Sequence, residues 1–139
     1  MPLTKPSREF LWPPLIMATV FLASGQTTLA TPSFSFSPDK IAHFAVFGAL
    51  ATSVIRLSFL RDRGWRAALG VWLLVAGYGG LDEYRQSFTP GRSVEFDDWL
   101  ADGLGAAAAV VLYQFCPRWR GLLEMKVRKM RDPGAATCP

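Results

Sequence analysis

The stretch GGLDEYRQSFTPGRS, at positions 79–93, concentrates ionisable side chains directly behind an apolar run. It contains Asp82, Glu83, Gln86 and Arg92. Carboxylates, an amide and a guanidinium held close together form a wall that can bind a polar ligand. Acids at the carboxyl end of a helix oppose the helix dipole, so their charge calls for a compensating cation. Arg85 and Arg92 are the available cations, and we expect Arg92 to fold back on these acids as a bidentate clamp.

A second group of polar residues lies in SPDKIAHF, at positions 37–44. Asp39 and His43 are four residues apart, so they share one face of a helix that Pro38 is suited to begin. A carboxylate that orients an imidazole could serve proton transfer or ligand binding. The alternative interpretation is a helix cap followed by a histidine that hydrogen-bonds to a neighbouring helix.

A third group lies in VEFDDWLADGLGA, at positions 94–106. Asp97 is suited to cap the helix, whereas Asp98 and Asp102 share a face. Asp102 falls beyond the first turn, where capping does not explain it. Beside this face runs a stripe of small residues that allows a partner helix to approach closely: Ala101, Gly105 and Ala109. We therefore expect Asp102 to point into a bundle of helices.

Four apolar segments must position these groups, and each approaches the length of a membrane span, about 20 residues. They are 10–29, 41–55, 65–81 and 99–115. The pattern predicts an all-α fold, an integral membrane four-helix bundle. The first segment also resembles a secretory signal peptide or signal anchor, but the Pro13-Pro14 pair and the poor cleavage region favour an uncleaved helix.

The positions of the basic residues predict the orientation of this bundle. Twelve of the 15 Lys and Arg residues fall in 1–9, 56–66 and 116–139, which the positive-inside rule places in the cytoplasm. Both termini are then inside, with a cytoplasmic segment 1–9, a core domain 37–116 and a basic cytoplasmic tail 117–139. Seven of the 11 acids lie on the other side. Acids contribute little to topology, so this asymmetry predicts a polar cluster at the outer membrane face.

Composition excludes several other classes of protein. A net charge of +4 is compatible with nucleic-acid binding, but the basic residues fall in short blocks between apolar runs, so we expect no nucleic-acid partner. Cys116 and Cys138 are too few for a disulfide framework and lack metal-ligand spacing. One histidine among carboxylates can bind a divalent cation, but this spacing specifies no metal. The cofactor is therefore left open.

The ordered set of polar motifs resembles the VanZ-like family of small bacterial membrane proteins. The resemblance covers about residues 37–112 and rests on four motifs: D-K-x-x-H-F from Asp39 with Lys40, Y-G-x-x-D-E-x-x-Q from Tyr78, F-x-P-G-R from Phe88, and D-x-x-A-D-x-x-G from Asp98. It implies a multi-pass protein of the bacterial plasma (inner) membrane, linked through the family's namesake to glycopeptide (teicoplanin) resistance. It does not supply a biochemical activity.

Three functions fit these residues. The first is a non-enzymatic envelope protein that binds a membrane lipid, a lipid-linked cell-wall precursor or a partner protein through the nine polar residues Asp39, Lys40, His43, Asp82, Glu83, Gln86, Arg92, Asp98 and Asp102. The second is a small membrane-embedded hydrolase or transferase acting on a phospholipid or cell-wall precursor, with candidate catalytic residues His43, Asp39, Glu83 and Asp102. The third is a polar lock that only fixes the register of the helices.

Overall fold

The computed structural model describes residues 8–25, 38–90 and 94–131, and within these ranges the chain is helical with no strands. A short 3-10 helix, Arg8–Phe10, precedes five α-helices. They are α1 (Trp12–Ser24), α2 (Pro38–Ile55), α3 (Gly64–Gln86), α4 (Phe96–Phe115) and α5 (Pro117–Arg131). The predicted all-α class is confirmed.

Helix α3 is longer than the apolar pattern predicts, since it runs to Gln86 and not only to Leu81. Asp82 and Glu83 therefore lie within its last turns. Two adjacent glycines disfavour a helix by about 1 kcal/mol each relative to alanine. Tertiary packing overrides this preference, because Gly79 lies against Asp102 of α4 and Gly80 lies against the Trp99 indole.

Helices α2 and α4 run parallel and touch closely, while α3 runs antiparallel to both. Contacts between α2 and α4 advance together along the two chains, from Lys40 with Asp98 to Gly48 with Ala109. A β-carbon at Gly105 would collide with the backbone carbonyl of Phe44, so the two backbones meet there. The predicted small-residue stripe does allow the close approach of a partner helix.

The apolar core lies between α2, α3 and α4. Its largest fully buried apolar side chains are Phe47, Leu50, Ile55, Val75 and Tyr113. Helix α1 packs against both α2 and α3, and the Tyr78 hydroxyl of α3 donates a hydrogen bond to the carbonyl of Met17 at 2.7 Å. The core thus fixes the helices in a register that brings the ends of α1 and α3 together with the starts of α2 and α4.

Helix α5 occupies part of the segment that the sequence indicated only as a basic tail. The chain bends by 93° between α4 and Pro117–Glu124. Tyr113 donates a hydrogen bond to Glu124 at 2.8 Å, and Arg61 forms an ion pair with the same carboxylate at 3.0 Å. These contacts hold α5 across the end of the bundle that also carries the turns of residues 56–63, hereafter the basic end.

Of the described helices, none taken singly combines the length and the mean hydropathy that a membrane crossing requires. The bent pair formed by α4 and Pro117–Glu124 satisfies both requirements together, and α1 and Lys40–Ile55 are shorter apolar helices. The four crossings and their orientation therefore stay a prediction.

Candidate functional site

Polar side chains gather at the end of the bundle opposite the basic end. Seven of the nine residues that the sequence singled out meet here, at the start of α2, the end of α3 and the start of α4. This polar cluster consists of Lys40, His43, Asp82, Glu83, Gln86, Asp98 and Asp102. Five of these seven are buried, four of them carboxylic acids. Burying so many acids is unfavourable without partners, so the cluster's contacts decide what it can do.

His43 and Asp102 form the deepest contact of the polar cluster. The imidazole Nδ1 lies 2.9 Å from the Asp102 Oδ1, and the Asp102 residue is 1% exposed. The other carboxylate oxygen of Asp102, Oδ2, has no hydrogen-bond partner among the described residues and faces Gly79. A carboxylate in this position can hold one imidazole tautomer and stabilise the imidazolium form.

Lys40 links α2 to the first turn of α4. Its ammonium lies 3.1 Å from Asp98, 3.4 Å from Glu95 and 3.8 Å from Asp97. Burial lowers the pKa of Lys40, but the hydrogen bonds and charges of Asp98 and Glu95 outweigh burial and raise this pKa above its ordinary value. Lys40 therefore stays charged and offsets part of the acidic charge of the cluster.

Asp82 is held by residues of two helices. The Ser24 hydroxyl of α1 donates a hydrogen bond to its Oδ1 at 2.6 Å, and the Gln86 amide donates to its Oδ2 at 3.0 Å. Arg85 contacts Asp82 at 3.4 Å, also donates to Ser24, and its guanidinium lies 4.1 Å from the centre of the Phe21 ring. Arg85 is therefore the described cation that compensates the acids at the end of α3.

Glu83 connects the end of α3 to the start of α4. Its Oε2 accepts a hydrogen bond from the Glu95 backbone N–H at 3.1 Å, and its Oε1 lies 3.4 Å from the Gln86 amide. Glu83 comes after the predicted membrane span 65–81 and therefore lies outside that span. Burial raises its pKa above the ordinary value, the Glu95 hydrogen bond lowers it, and the negative charge of Asp98 raises it further.

Four residues to which the sequence analysis gave a role are either not described by the structure or have a contact other than the one considered. Arg92 lies outside the described residues, as does the side chain of Asp39, so the expected clamp stays a prediction. The imidazole of His43 meets a carboxylate of another helix, Asp102. Asp97 does not cap α4, because Glu95 occupies the N-cap position and makes no side-chain capping bond.

Sequence reasoning missed Ser24 and gave Arg85 too little weight. Ser24 lies at the end of an apolar helix, where a serine carries no signal for a contact with a distant acid. Arg85 is three residues from Asp82, a spacing at which side chains of a helix meet, so that ion pair was open to prediction. The involvement of α1 was not, because it depends on how α1 packs against α3.

An apolar groove of about 470 Å³ lies between α3 and α4. At one end the groove is lined by Gly80 and Trp99. Gly80 follows Gly79, which lies against Asp102, and Trp99 follows Asp98 of the polar cluster. The groove extends from there to Trp72 and Ala107. Each tryptophan donates a hydrogen bond of 3.0 Å to a backbone carbonyl of the opposite helix. The two hydrogen bonds therefore fix the orientation of both tryptophan side chains that line the groove, and the groove lies beside the polar cluster.

Among the described side chains, no group of three or more His, Cys, Asp and Glu residues is arranged to hold a metal ion. The strongest chemical features are thus the His43–Asp102 pair, the Lys40 ion pairs and the buried acids at the end of α3. They can bind hydrogen-bond donors or cations, and they can move a proton between an imidazole and a carboxylate.

The fold and site define a small all-α protein in which buried acids of α3 and α4 meet Lys40 and His43 of α2 at one end of the bundle. A family model described as VanZ/LLP1 matches residues 7–117, and the chain belongs to this family. The resemblance noted in the polar motifs is thereby confirmed. Comparison with the curated proteins and with the solved structures gave no match.

Proposed function

We propose that this chain is a multi-pass protein of the bacterial plasma membrane that binds an amphiphile at its polar cluster. The amphiphile is an envelope lipid or a lipid-linked cell-wall precursor. The observation that carries the proposal is the convergence of four buried acids from α3 and α4 with Lys40 and His43 of α2 at one end of the bundle. Ionisable groups in membrane helices are expensive and usually functional.

Exposed apolar side chains support the membrane location. Large aliphatic residues lie exposed along the length of the helices, including Leu22, Leu73, Leu81, Leu104 and Leu122. Exposed aromatic residues flank them at both ends: Trp12, Phe59, Trp65 and Phe115 at the basic end, and Tyr84, Phe88 and Phe96 at the polar end. Belts of tryptophan and tyrosine mark the two interfaces of a bilayer, and Trp12, Trp65 and Tyr84 lie where such belts are expected. The outer surface of the bundle is thus apolar along the helices and aromatic at both ends, which is the pattern of a lipid-facing surface.

Helix lengths are compatible with this location. Helices α3 and α4 have 23 and 20 residues, which corresponds to about 35 and 30 Å at 1.5 Å per residue. The hydrocarbon core of a bilayer is about 30 Å thick. The positive-inside rule then places the polar cluster at the outer face and both termini in the cytoplasm.

The charge balance of the cluster indicates the head-group chemistry. Four buried acids, Asp82, Glu83, Asp98 and Asp102, outnumber the two described cations, Lys40 and Arg85. This excess of acids favours a head group that donates hydrogen bonds through hydroxyl, amide or ammonium groups. Arg92, next to this end in sequence, would then meet a phosphate or carboxylate of the same ligand.

The groove between α3 and α4 suits the apolar part of such a ligand. It is lined by glycine, alanine, leucine and tryptophan residues and begins beside the polar cluster. An acyl or prenyl chain lying there would keep its head group at the level of Asp98 and Asp102. A role in glycopeptide (teicoplanin) resistance, which the family's namesake suggests, would follow if the bound amphiphile is a cell-wall precursor.

Native-lipid co-purification with mass spectrometry tests this proposal. We compare the wild type with Asp98→Asn, which neutralises a buried acid, and with Asp97→Asn, its exposed neighbour, in which 73% of the side chain is accessible. We expect the bound amphiphile to fall at least fivefold in Asp98→Asn and to stay unchanged in Asp97→Asn. Arg92→Ala tests the predicted anion contact in the same way. Identical lipid profiles in all four proteins would refute the proposal.

The His43–Asp102 pair favours a second candidate, a membrane-embedded hydrolase or transferase. A carboxylate 2.9 Å from an imidazole is an arrangement in which histidine serves as general base. Under this hypothesis, purified protein turns over a phospholipid or cell-wall precursor, and His43→Asn abolishes turnover while lipid binding persists. If neither binding nor turnover occurs, and His43→Asn lowers only stability, the cluster is a polar lock.

A further inference from the structure

Helix α5 presents a basic and apolar face at the end of the bundle opposite the polar cluster. Trp119 is 43% exposed, Leu122 is 58% exposed, and Arg118 is also exposed. Arg118 and Leu122 are four residues apart, so they share one face of the helix, and the sequence continues at helical spacing with Lys126 and Lys129. The described part of this face thus combines exposed apolar side chains with the cation Arg118.

The opposite side of α5 is fastened to the bundle. Arg120 pairs with Asp62 at 2.7 Å, and Arg56 donates a hydrogen bond of 2.7 Å to the carbonyl of Leu123. Glu124 accepts from Tyr113 and pairs with Arg61. These contacts fix the rotation of α5 about its own axis, so the face with Arg118 and Leu122 is held away from the bundle.

The direction of α5 is also fixed. The 93° bend after α4 sets α5 nearly perpendicular to the helix that precedes it. If α4 crosses a bilayer, α5 lies in the plane of the membrane surface, at the depth of the head groups. A basic amphipathic helix in this plane binds by burying its apolar side chains and attracting anionic lipids.

Exposed aromatic residues near α5 agree with this placement. Trp65 is 64% exposed with the Arg66 guanidinium 5.9 Å from its ring centre, and Phe59 is 53% exposed and stacks on Phe10 at 6.2 Å. Amphipathic tryptophan rings such as that of Trp65 sit at the head-group level of a membrane, with apolar rings such as that of Phe59 beside them. They would place the exposed face of α5 at the same level.

We propose that α5 lies flat on the cytoplasmic leaflet and binds anionic phospholipids through Arg118, Trp119, Leu122, Lys126 and Lys129. The tryptophan and leucine on this face favour a bilayer over a nucleic acid, since they would lie in the interface while the lysines meet the phosphates. This inference rests on the membrane location in the proposed function, but not on the polar cluster or its ligand.

Site-specific quenching on the full-length chain in lipid nanodiscs tests the inference. A bimane label is attached at Leu122→Cys in a Cys116→Ser, Cys138→Ser background. Discs contain phosphatidylcholine alone or with about 30% phosphatidylglycerol, a composition chosen to reproduce an anionic leaflet. Brominated lipid reports insertion of the label, and aqueous iodide reports exposure. We expect stronger bromolipid quenching and weaker iodide quenching in the anionic discs.

Two double variants supply the matched comparison. Lys126→Gln with Lys129→Gln neutralises the proposed face, whereas Arg128→Gln with Arg131→Gln removes the same charge from another side of the helix. Each basic residue near an anionic surface changes binding about fivefold, so the first pair is expected to weaken docking on the order of 25-fold. The second pair should change it less than threefold. Added salt should weaken docking of the wild type.

Three results would overturn the inference. The label could be equally open to iodide in both kinds of disc, the two double variants could behave alike, or RNA rather than anionic lipid could shield the label. Carbonate extraction distinguishes a failure of the α5 proposal from a failure of the proposed membrane location. A chain that resists extraction but leaves the label in water contradicts only the α5 proposal, whereas a chain released by carbonate contradicts the membrane location as well.

Discussion

Gly79 and Asp102 approach each other so closely that a β-carbon at position 79 would lie 2.7 Å from Oδ2 of the Asp102 carboxylate. This contact joins α3 to α4 at the level of the polar cluster, directly beside the His43–Asp102 pair. The absence of a side chain at Gly79 is therefore what allows a carboxylate to stand between the two helices. The carboxylate can in turn hold His43 of α2, so one small residue permits a contact among three helices.

Gly79→Ala is expected to destabilise the protein by about 1–3 kcal/mol, the usual range for overpacking a close contact. Gly77→Ala is the matched control, because a β-carbon there meets nothing within 4 Å. Thermal unfolding of the detergent-solubilised protein measures both. In the double variant Gly79→Ala, Asp102→Ala, the added methyl group no longer meets a carboxylate, so the two effects should not add. Additive effects would contradict the contact.

Gly105→Ala is expected to be more severe, with a loss of about 3 kcal/mol or more, because its methyl group would collide with the carbonyl of Phe44. Backbone atoms cannot turn aside as a flexible side chain can, so α2 and α4 must separate. Gly103→Ala lies on the same helix in open space and should be tolerated. Unfolding measurements that found the two variants equally stable would argue against the close approach of α2 and α4.

Ser24→Ala is expected to lower the free energy of unfolding by about 1–3 kcal/mol, since it removes a partner from the buried Asp82 carboxylate. Thr19→Ala is the control on the same helix. Its hydroxyl is exposed and bonds only to the carbonyl of Leu15 within α1, so a change below about 0.5 kcal/mol is expected. If α1 does not pack on α3, both substitutions should be equally mild.

The buried Glu83 predicts a pH dependence of stability. Its pKa is raised mainly by burial, so the folded state binds the proton more tightly than the unfolded chain does. The stabilising contribution is complete below the ordinary value of 4.5 and is lost as the pH rises through the raised pKa. In Glu83→Gln, unfolding midpoints should fall less over this window than in the wild type. Equal slopes in the wild type and in Glu83→Gln would contradict this prediction.

Local sequence patterns were enough to predict helices α1 to α4, though not α5 or the full length of α3, and the end of the bundle at which acids gather. Helical spacing placed Asp98 and Asp102 on one face, and Pro38 marked the start of α2. The ordered polar motifs identified the family that the comparison then confirmed. These features depend on residues close in sequence, where helix periodicity and the chemistry of helix ends are sufficient.

The partners of the polar residues were decided by the tertiary structure. The parallel register of α2 and α4 brings Asp102 to 2.9 Å from the His43 imidazole, a contact that local spacing does not reveal, while the orienting role of Asp39 stays a prediction. Ser24 reaches Asp82 only because α1 packs along α3. Helix periodicity fixes the face on which a side chain lies, but its contacts depend on the crossing and register of helices that are distant in sequence, and these are set by the packing of the whole core.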